Sequence, residues 1–396
     1  MNISLPIQEV LNLGYTIKEF EDLGVFPEDI ESFRKHPSQM IAAKFKVKGK
    51  TQLQGRMIDI KPGLTMVIDI NDFIKLYTQT KGQAITGTSI VKDYFNLYQG
   101  QDLNNKKLLF WCFGCGWGDL LFMQAILRNI KIKYPKCSIT WALPQIYHGF
   151  VRTFDIASNI ISTPFEAKHI KKNNYHLHFD NLINNYIEGK TKNCYELMAE
   201  FTNLDINKED LNPKIKVNKQ SLKYITKQDI PDKFIVLHMR TSTPMRNPGI
   251  RFKLSILDKL LMDDFKVVFV DSADKKEDID FLIDNCVVPE DCYNFAGITR
   301  NMNDVTALLS LAQCVVSVDT SMIHIATAVG TPTYGLYGPF PGELRVSTYL
   351  KNKWVNGTCD ISPCQLHQQE LCPKGSAICY DNIDLGKTIE EIKTLI

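Results

Sequence analysis

The sequence lacks the features that mark membrane, secreted and nucleic-acid-binding proteins. Its 396 residues contain no apolar run near the ~20 residues that a membrane-spanning helix needs. The first residues, MNISLPIQEV, have neither the basic nor the apolar region of a signal peptide. A net charge of +2 gives no general affinity for nucleic acids or membrane surfaces. We therefore expect a cytoplasmic protein without a transmembrane segment or a nucleic-acid partner.

Two further features are missing: a disulfide framework and a dinucleotide-binding glycine motif. The 11 cysteines are an odd number and are spread along the chain, and a reducing compartment disfavours disulfides. No G-x-G-x-x-G pattern follows a strand. The apolar content of 44% is nevertheless ample for a large core, and the length favours two or three domains.

Three regions of the chain differ in pattern. Residues 1–100 combine helical segments with alternating strands, which predicts a helical/β accessory module. Residues 101–222 and 223–396 each alternate buried strands with helices, and the second includes a cysteine-rich loop at 355–382. This alternation predicts an α/β fold with two facing Rossmann-like domains. Ligands of such domains bind at the carboxyl ends of the strands, in the crevice.

The segment CVVSVDTSMIHIATAVG places polar residues directly after a buried strand. Asp319, Thr320 and Ser321 end the strand and can cap the next helix, and His324 lies one turn into that helix. The free N–H groups and the dipole of the helix start would form an anion site facing the cleft. An ordinary capped helix with a hydrogen-bonded histidine is the alternative.

The segment GCGWGDLLF repeats this arrangement in the first αβ region. Gly118 would let the backbone approach a bound donor closely, and Asp119 lies at the start of a helix. A capping aspartate is the alternative interpretation. Two acidic strand ends, one in each domain and both facing one cleft, favour a shared site.

At these residues the chain resembles glycosyltransferase family 9, the ADP-heptose:lipopolysaccharide heptosyltransferases. The segment VVSVDTSMIHIATAVGTPTYGLYGPFPGELR is similar to the family's D-T-G-x-x-H signature, and GCGWGDLLFMQAILRNIKIKYP is similar to its G-x-G-D pattern. The resemblance runs from about residue 106 to 396, so the accessory module lies outside it. An added N-terminal β-module and a cysteine-rich tail also resemble the protein-directed autotransporter heptosyltransferase branch, some members of which carry an iron-bound cysteine finger.

The resemblance implies a glycosyltransferase B-type fold and an inverting sugar transfer from an ADP-heptose-type donor, with no cofactor for the chemistry. Asp119 would be the general base that takes the proton of the acceptor hydroxyl. Asp319 would orient hydroxyl groups of the donor. The backbone N–H groups of Thr320 and Ser321 would hold the diphosphate, and His324 would support their loop.

The chain departs from the family pattern at two places. Ser321 stands where the family usually has glycine, which brings the phosphate and the chain into tighter contact. The family often uses a lysine in the loop that here reads HMRTSTPMRNPGIRFK, where Arg240, Arg246, Arg251 and Lys253 are the candidates. We predict that Arg240 and Arg246 neutralise the diphosphate, because a guanidinium can bind it bidentately. Solvation of the loop is the alternative.

Four cysteines fall within one short segment near the C-terminus, in the pattern C-x4-C-x7-C-x6-C: Cys359, Cys364, Cys372 and Cys379. The spacing is irregular for a zinc ribbon. Four thiols in one loop nevertheless indicate ligands for a structural zinc or iron ion. A metal-free loop or an occasional disulfide is the alternative.

The main functional hypothesis is therefore an inverting, metal-independent glycosyltransferase with an ADP-heptose-type donor and a glycan or protein acceptor. The accessory module favours an acceptor other than lipopolysaccharide, such as a polypeptide. A non-catalytic nucleotide- or sugar-binding protein is one alternative, against which Asp119 argues. A transferase that uses another nucleotide sugar is a second alternative. The sequence also leaves open whether the protein forms a homo-oligomer.

Overall fold

The structure is a computed structural model, which describes residues 40–54, 56–89, 96–179, 191–364 and 372–396. The helices predicted at the start of the accessory module lie outside these residues. The strands are β1 (Met40–Phe45), β2 (Gly49–Leu53), β3 (Arg56–Ile60), β4 (Thr65–Asp69), β5 (Ile85–Ser89), β6 (Lys107–Trp111), β7 (Ser138–Leu143), β8 (Asn159–Ser162), β9 (Phe165–Glu166), β10 (Tyr175–His178), β11 (Ile235–His238), β12 (Val267–Phe269), β13 (Cys292–Asn294), β14 (Cys314–Val318), β15 (Thr333–Tyr337) and β16 (Asn352–Asn356).

The α-helices follow most of the strands. They are α1 (Ile70–Thr80), α2 (Trp117–Lys133), α3 (His148–Val151), α4 (Lys168–Lys171), α5 (Cys194–Phe201), α6 (Lys219–Ile225), α7 (Ile250–Met262), α8 (Lys276–Asp284), α9 (Met302–Leu311), α10 (Ser321–Ala328), α11 (Glu343–Val346) and α12 (Leu385–Lys393). Within the described residues, no helix combines the length and the apolar character needed to cross a membrane.

The first Rossmann-like sheet has the parallel order β10-β6-β7-β8. Its central strand β6 is buried from Leu108 to Trp111, because side chains on both faces are covered. Leu108 and Phe110 belong to the main core with helix α2, while Leu109 and Trp111 belong to a second cluster. Successive side chains of a strand point to opposite faces, so the two clusters lie on opposite sides of the sheet.

The accessory module covers the second face of this sheet. Its four-stranded sheet has the order β5-β1-β4-β9, in which β4 pairs antiparallel with β9 and Val67 lies opposite Phe165. Ala42 and Val67 of the module share a buried cluster with Leu109 and Trp111. The strand β9 belongs to the region 101–222 by position in the chain, yet it completes the sheet of the module. The domain boundaries themselves stay a prediction.

The second Rossmann-like sheet is parallel throughout, with the order β13-β12-β11-β14-β15-β16. Numbered from β11, this is the order 3-2-1-4-5-6 of a Rossmann fold. The chain reverses direction across the sheet between β11 and β14, and a crevice opens there at the carboxyl ends of the strands. The predicted α/β fold with two Rossmann-like domains is confirmed.

Candidate active site

A cleft of about 790 Å³ opens between the two sheets, at the carboxyl ends of β6, β11 and β14. It brings together every residue that the sequence placed at the catalytic or donor site. These residues are Gly118, Asp119, Arg240, Arg246, Asp319, Thr320, Ser321 and His324. The strand ends converge because both sheets are parallel, so the loops that leave β6 and β14 face each other.

Asp119 lies in the first turn of α2, three residues after the N-cap Gly116. Its carboxylate accepts a 2.7 Å hydrogen bond from the Gly116 N–H, so the aspartate caps the helix from inside the first turn. Burial raises the pKa of Asp119, and the Gly116 N–H and the charges of Arg345 and Arg246 oppose that rise. A carboxylate with a raised pKa is a stronger base than an exposed aspartate.

Asp319 and Arg246 form an ion pair on the side of the cleft that the second Rossmann-like sheet lines. Nη1 of Arg246 lies 3.1 Å from Oδ2 of Asp319 and 3.1 Å from its backbone oxygen. Both side chains are largely buried, with 18% of the arginine and 7% of the aspartate side chain exposed. Nε of Arg246 is also buried and has no acceptor among the described residues. The pair therefore fixes a cation at the start of helix α10.

Arg240 is held by a different carboxylate. Its Nε and Nη2 donate to Asp271 at 2.8 and 2.6 Å, and Nη2 also reaches Oγ of Ser272. Burial alone would raise the pKa of Asp271, but hydrogen bonds from Arg240 and from the Ser272 N–H, together with the electrostatic effect of the nearby His238, outweigh it and lower that pKa. Arg240 thus lines the cleft wall as one half of a bidentate pair.

Helix α10 begins with Thr320 as its N-cap, whose Oγ1 accepts the Met322 N–H at 3.3 Å. The same oxygen contacts Oγ of Ser317 at 3.0 Å and Nδ1 of His238 at 3.3 Å. Burial lowers the pKa of His238 to about 4, so this imidazole is neutral at physiological pH. The cap therefore holds the start of the helix in place where Thr320 and Ser321 line the cleft.

His324 packs between the two domains. Its Nδ1 hydrogen-bonds the hydroxyl of Tyr349 at 2.6 Å, and its ring meets Phe122 of helix α2 edge-on at 4.7 Å. Burial lowers the pKa of His324 to about 4. Gly118 of α2 lies against the same imidazole. The interpretation of His324 as a support is consistent with these contacts.

The cleft also contains residues that the sequence did not single out, among them His238, Asp271 and Arg345. His238 and Asp271 stand at or just after the ends of β11 and β12, so the strand-end rule that found Asp319 could also have found them. Arg345 lies inside the quoted signature segment. Nothing in its local pattern distinguishes it from a solvated arginine.

The four C-terminal cysteines are free thiols. Sγ of Cys364 lies 3.8 Å from the backbone oxygen of Pro339, and burial raises the pKa of Cys379 to about 12. No three His, Cys, Asp or Glu side chains in the described parts of the chain could hold a metal ion. His367 lies outside those parts. The described residues therefore do not supply the predicted ligand set for zinc or iron.

Comparisons with known proteins identify a family by its sequence model and several solved structures with a similar fold. A family model described as glycosyltransferase family 9 (heptosyltransferase) matches residues 178–376, half of the chain. A glycosyltransferase family 9 structure from Veillonella parvula is 12% identical over 74% of this chain and 98% of its own, with a TM-score of 0.58. Escherichia coli ADP-heptose LPS heptosyltransferase II is 16% identical over 73% and 98%, with a TM-score of 0.52.

A third structure covers more of the chain. The iron-containing dodecameric glycosyltransferase TibC from enterotoxigenic E. coli is 11% identical over 90% of this chain and 91% of its own, with a TM-score of 0.51. A second TibC structure is a complex with ADP-D-beta-D-heptose. At such identities these structures show a shared fold. No match was found among curated protein sequences.

Proposed function

The chain belongs to glycosyltransferase family 9, and we propose that it transfers heptose from an ADP-sugar to a hydroxyl group of a glycan or a protein. The observation that carries this proposal is the shared cleft, which Asp119 lines from one sheet and Asp319 with the start of α10 lines from the other. The heptosyltransferase relatives and the TibC complex support the choice of donor.

Asp119 acts as the general base in the proposed reaction. One of its carboxylate oxygens takes the proton of the acceptor hydroxyl while that hydroxyl oxygen attacks the anomeric carbon of the donor. The bond between the anomeric carbon and the diphosphate oxygen breaks, and ADP leaves with the electron pair. A single displacement inverts the configuration at the anomeric carbon. The raised pKa of Asp119 supports its role as the proton acceptor.

The diphosphate leaving group binds at the start of helix α10. Backbone N–H groups of Thr320 and Ser321 lie at the positive end of the helix dipole, which favours an anion. Arg246 stands beside them with a buried Nε that has no acceptor among the described residues. Arg240 contributes charge from farther out, because Asp271 already takes two of its N–H groups. Asp319 positions Arg246 and accepts hydroxyl groups of the donor.

The chemistry proceeds without a metal cofactor in this proposal, because two arginines, Arg246 and Arg345, and the helix start supply positive charge inside the cleft. Any iron or zinc on the C-terminal cysteines would serve structure or assembly. Incubation with a chelator therefore leaves the rate of transfer unchanged. A loss of rate that added magnesium reverses would contradict this part of the proposal.

Two further aspects concern the acceptor and the assembly. The accessory sheet covers one face of the first Rossmann-like sheet, and this added module favours an acceptor other than a lipopolysaccharide core. A polypeptide and a glycan are both to be offered in the transfer assay.

Since TibC is dodecameric, light scattering during size-exclusion chromatography tests for a homo-oligomer.

Calorimetric titration with ADP, UDP and GDP tests the donor site, followed by a transfer assay with ADP-heptose. We expect selective binding of ADP that Asp319→Ala weakens and that the exposed control Asp284→Ala leaves unchanged. A preference for UDP would replace ADP-heptose with another nucleotide sugar. ADP binding without transfer to any hydroxyl acceptor would favour a non-catalytic binding protein.

A further inference from the structure

Two cysteines lie side by side at one end of the second Rossmann-like sheet. Cys286 follows helix α8, and Cys292 is the first residue of β13, which stands at one end of the strand order. Their sulfur atoms are 3.8 Å apart, a van der Waals contact. Both are free thiols and both residues are partly exposed. A small molecule in solution can therefore reach the pair.

The loop between the two cysteines is short and is held by contacts with the rest of the domain. The backbone N–H of Val287 donates a 3.0 Å hydrogen bond to the side chain of Asp258. Cys286, Val288 and Cys292 pack against the same hydrophobic cluster. The fold thus keeps the two sulfurs close to each other. A disulfide requires them to approach to about 2.0 Å, a shift that side-chain rotation in a partly exposed loop can supply.

The other end of β13 is already fastened to α8. Nδ2 of Asn294, the last residue of the strand, donates to the backbone oxygen of Lys276 at 3.1 Å and to Oδ1 of Asp280 at 2.6 Å. Strand and helix are therefore fixed relative to each other. A bond between Cys286 and Cys292 would add a second connection at the opposite end of the strand.

The thiol pair lies away from the cleft. Strand β13 runs parallel to β12, and the cleft opens at the carboxyl ends of the strands of this sheet. Cys292 stands at the amino end of β13, and neither cysteine is among the residues that line the cleft. The chemistry of the pair is therefore independent of the proposed sugar transfer.

We propose that Cys286 and Cys292 form a modification site at which a peroxide produces a reversible disulfide. The Cys286 sulfur attacks one oxygen of hydrogen peroxide, the O–O bond breaks, and the departing oxygen leaves as water with the proton of that thiol. Cys286 then carries a sulfenic acid. The Cys292 sulfur attacks the Cys286 sulfur, the S–O bond breaks, and the hydroxyl leaves as water with the Cys292 proton. Two thiols lose two electrons, and one peroxide becomes two waters.

The order of the two steps follows from the surroundings of Cys292. Burial and the adjacent Cys286 thiol raise the pKa of Cys292, and Asp291 and Asp258 add to that rise. Cys292 therefore stays protonated and reacts poorly with peroxide, because the thiolate is the nucleophile. Cys286 is accordingly the thiol that reacts first, and Cys292 is the one that resolves the sulfenic acid.

Peptide mapping of the full chain tests the proposal. The protein is treated with hydrogen peroxide, free thiols are blocked with N-ethylmaleimide, and the chain is cut with trypsin. No Lys or Arg lies between Lys276 and Arg300, so the peptide 277–300 contains Cys286 and Cys292 and no other cysteine. We expect this peptide to carry no maleimide and to be lighter by two hydrogens than the reduced peptide. Dithiothreitol before blocking restores both labels.

A second cut and two variants identify the bond. Cleavage after Glu290 separates the two cysteines, so the fragments stay joined only if a disulfide links them. In Cys292→Ser we expect Cys286 to stop at the sulfenic acid, which dimedone traps. In Cys286→Ser we expect Cys292 to stay labelled by maleimide. A wild-type peptide that keeps both labels, or that gains oxygen without losing the two hydrogens, overturns the proposal. The mapping requires no transfer activity, so its outcome does not depend on the proposed function.

Discussion

Gly118 of helix α2 lies so close to His324 of helix α10 that a β-carbon on the glycine would be 3.1 Å from the imidazole Cδ2. The same carbon would be 3.6 Å from Cα of Ser321, at the start of α10. The helix that carries Asp119 and the helix start proposed to hold the diphosphate are therefore in direct contact. This contact sets how far Asp119 lies from the start of α10.

Gly118→Ala is expected to slow transfer about tenfold while changing stability little. The imidazole cannot yield freely, because Tyr349 and Phe122 hold it, so α2 and α10 must separate by a few tenths of an ångström. Small displacements of reacting groups cost much of the rate. The higher helix propensity of alanine, about 1 kcal/mol, offsets the strain.

Transfer assays and urea denaturation check this prediction. Gly149→Ala in helix α3 is the matched control, since a β-carbon there would meet no atom within 4 Å. An alanine at 118 that leaves kcat unchanged would show that the contact does not set the geometry of the reaction.

Asp119→Asn is expected to abolish most transfer, by about 10²- to 10⁴-fold, because an amide cannot take the proton. It should also raise the melting temperature at neutral pH. Burial raises the pKa of Asp119 in the folded state, so the stability of the wild type falls as pH rises through that pKa and stays lower above it. The asparagine removes this cost, and its carbonyl oxygen still accepts the Gly116 N–H.

Melting curves across the pH range in which the protein is folded test the sign of this effect. The gain from Asp119→Asn should be larger at pH 8 than at the acid end, and transfer by the wild type should decline toward acid pH. Asp284→Asn, an exposed position, serves as the control. A variant that retains transfer would rule out Asp119 as the base.

Arg246→Met is expected to weaken ADP binding more than Arg240→Met. Arg246 stands at the start of α10 in a largely buried pair, whereas Arg240 is engaged by Asp271 on the cleft wall. Removing Arg246 also breaks its largely buried ion pair with Asp319, which costs about 3 kcal/mol of the free energy of unfolding. Calorimetry and denaturation measure both effects, with the exposed Arg251→Met as control. Equal losses of ADP affinity in Arg246→Met and Arg240→Met would contradict the proposal that Arg246 is the closer arginine to the diphosphate.

The accessory module is expected to unfold together with the first Rossmann-like domain. Val67 is fully buried in the cluster that also contains Trp111 and Phe165. Val67→Ala should therefore lower the free energy of unfolding by about 2 kcal/mol in a single transition. Denaturation followed by tryptophan fluorescence measures it, and the exposed Val47→Ala is the control. An unchanged main transition would mean that the module unfolds independently.

Much of the fold and the candidate site could be predicted because the signals are local. The run CVVSV before Asp319 is buried at every position in β14, as the continuous apolar stretch predicts for a central parallel strand. Parallel sheets place the carboxyl ends of their strands at one edge. Polar residues that follow such runs, such as Asp119 and Asp319, were therefore predictable as neighbours across a cleft.

The partners of the charged side chains could not be predicted. Arg240 and Arg246 look alike in the loop sequence, yet one pairs with Asp271 and the other with Asp319, 31 and 73 residues away. Local sequence carries no information on such distances. The pairing of β4 with β9 could not be predicted either, because β9 has only two residues and a strand of that length gives no periodic signal.

The sequence by itself determined the class of the fold, the edge of the sheets at which the proposed chemistry occurs and several of the residues that line it. The spacing of apolar residues and the position of a strand end are properties of short segments. They can therefore be predicted without knowledge of the rest of the chain. Only the tertiary structure decided which cation balances which carboxylate, where Arg345 lies and which surface the accessory module covers. Those outcomes depend on distances between segments remote in sequence, which packing of the whole chain sets.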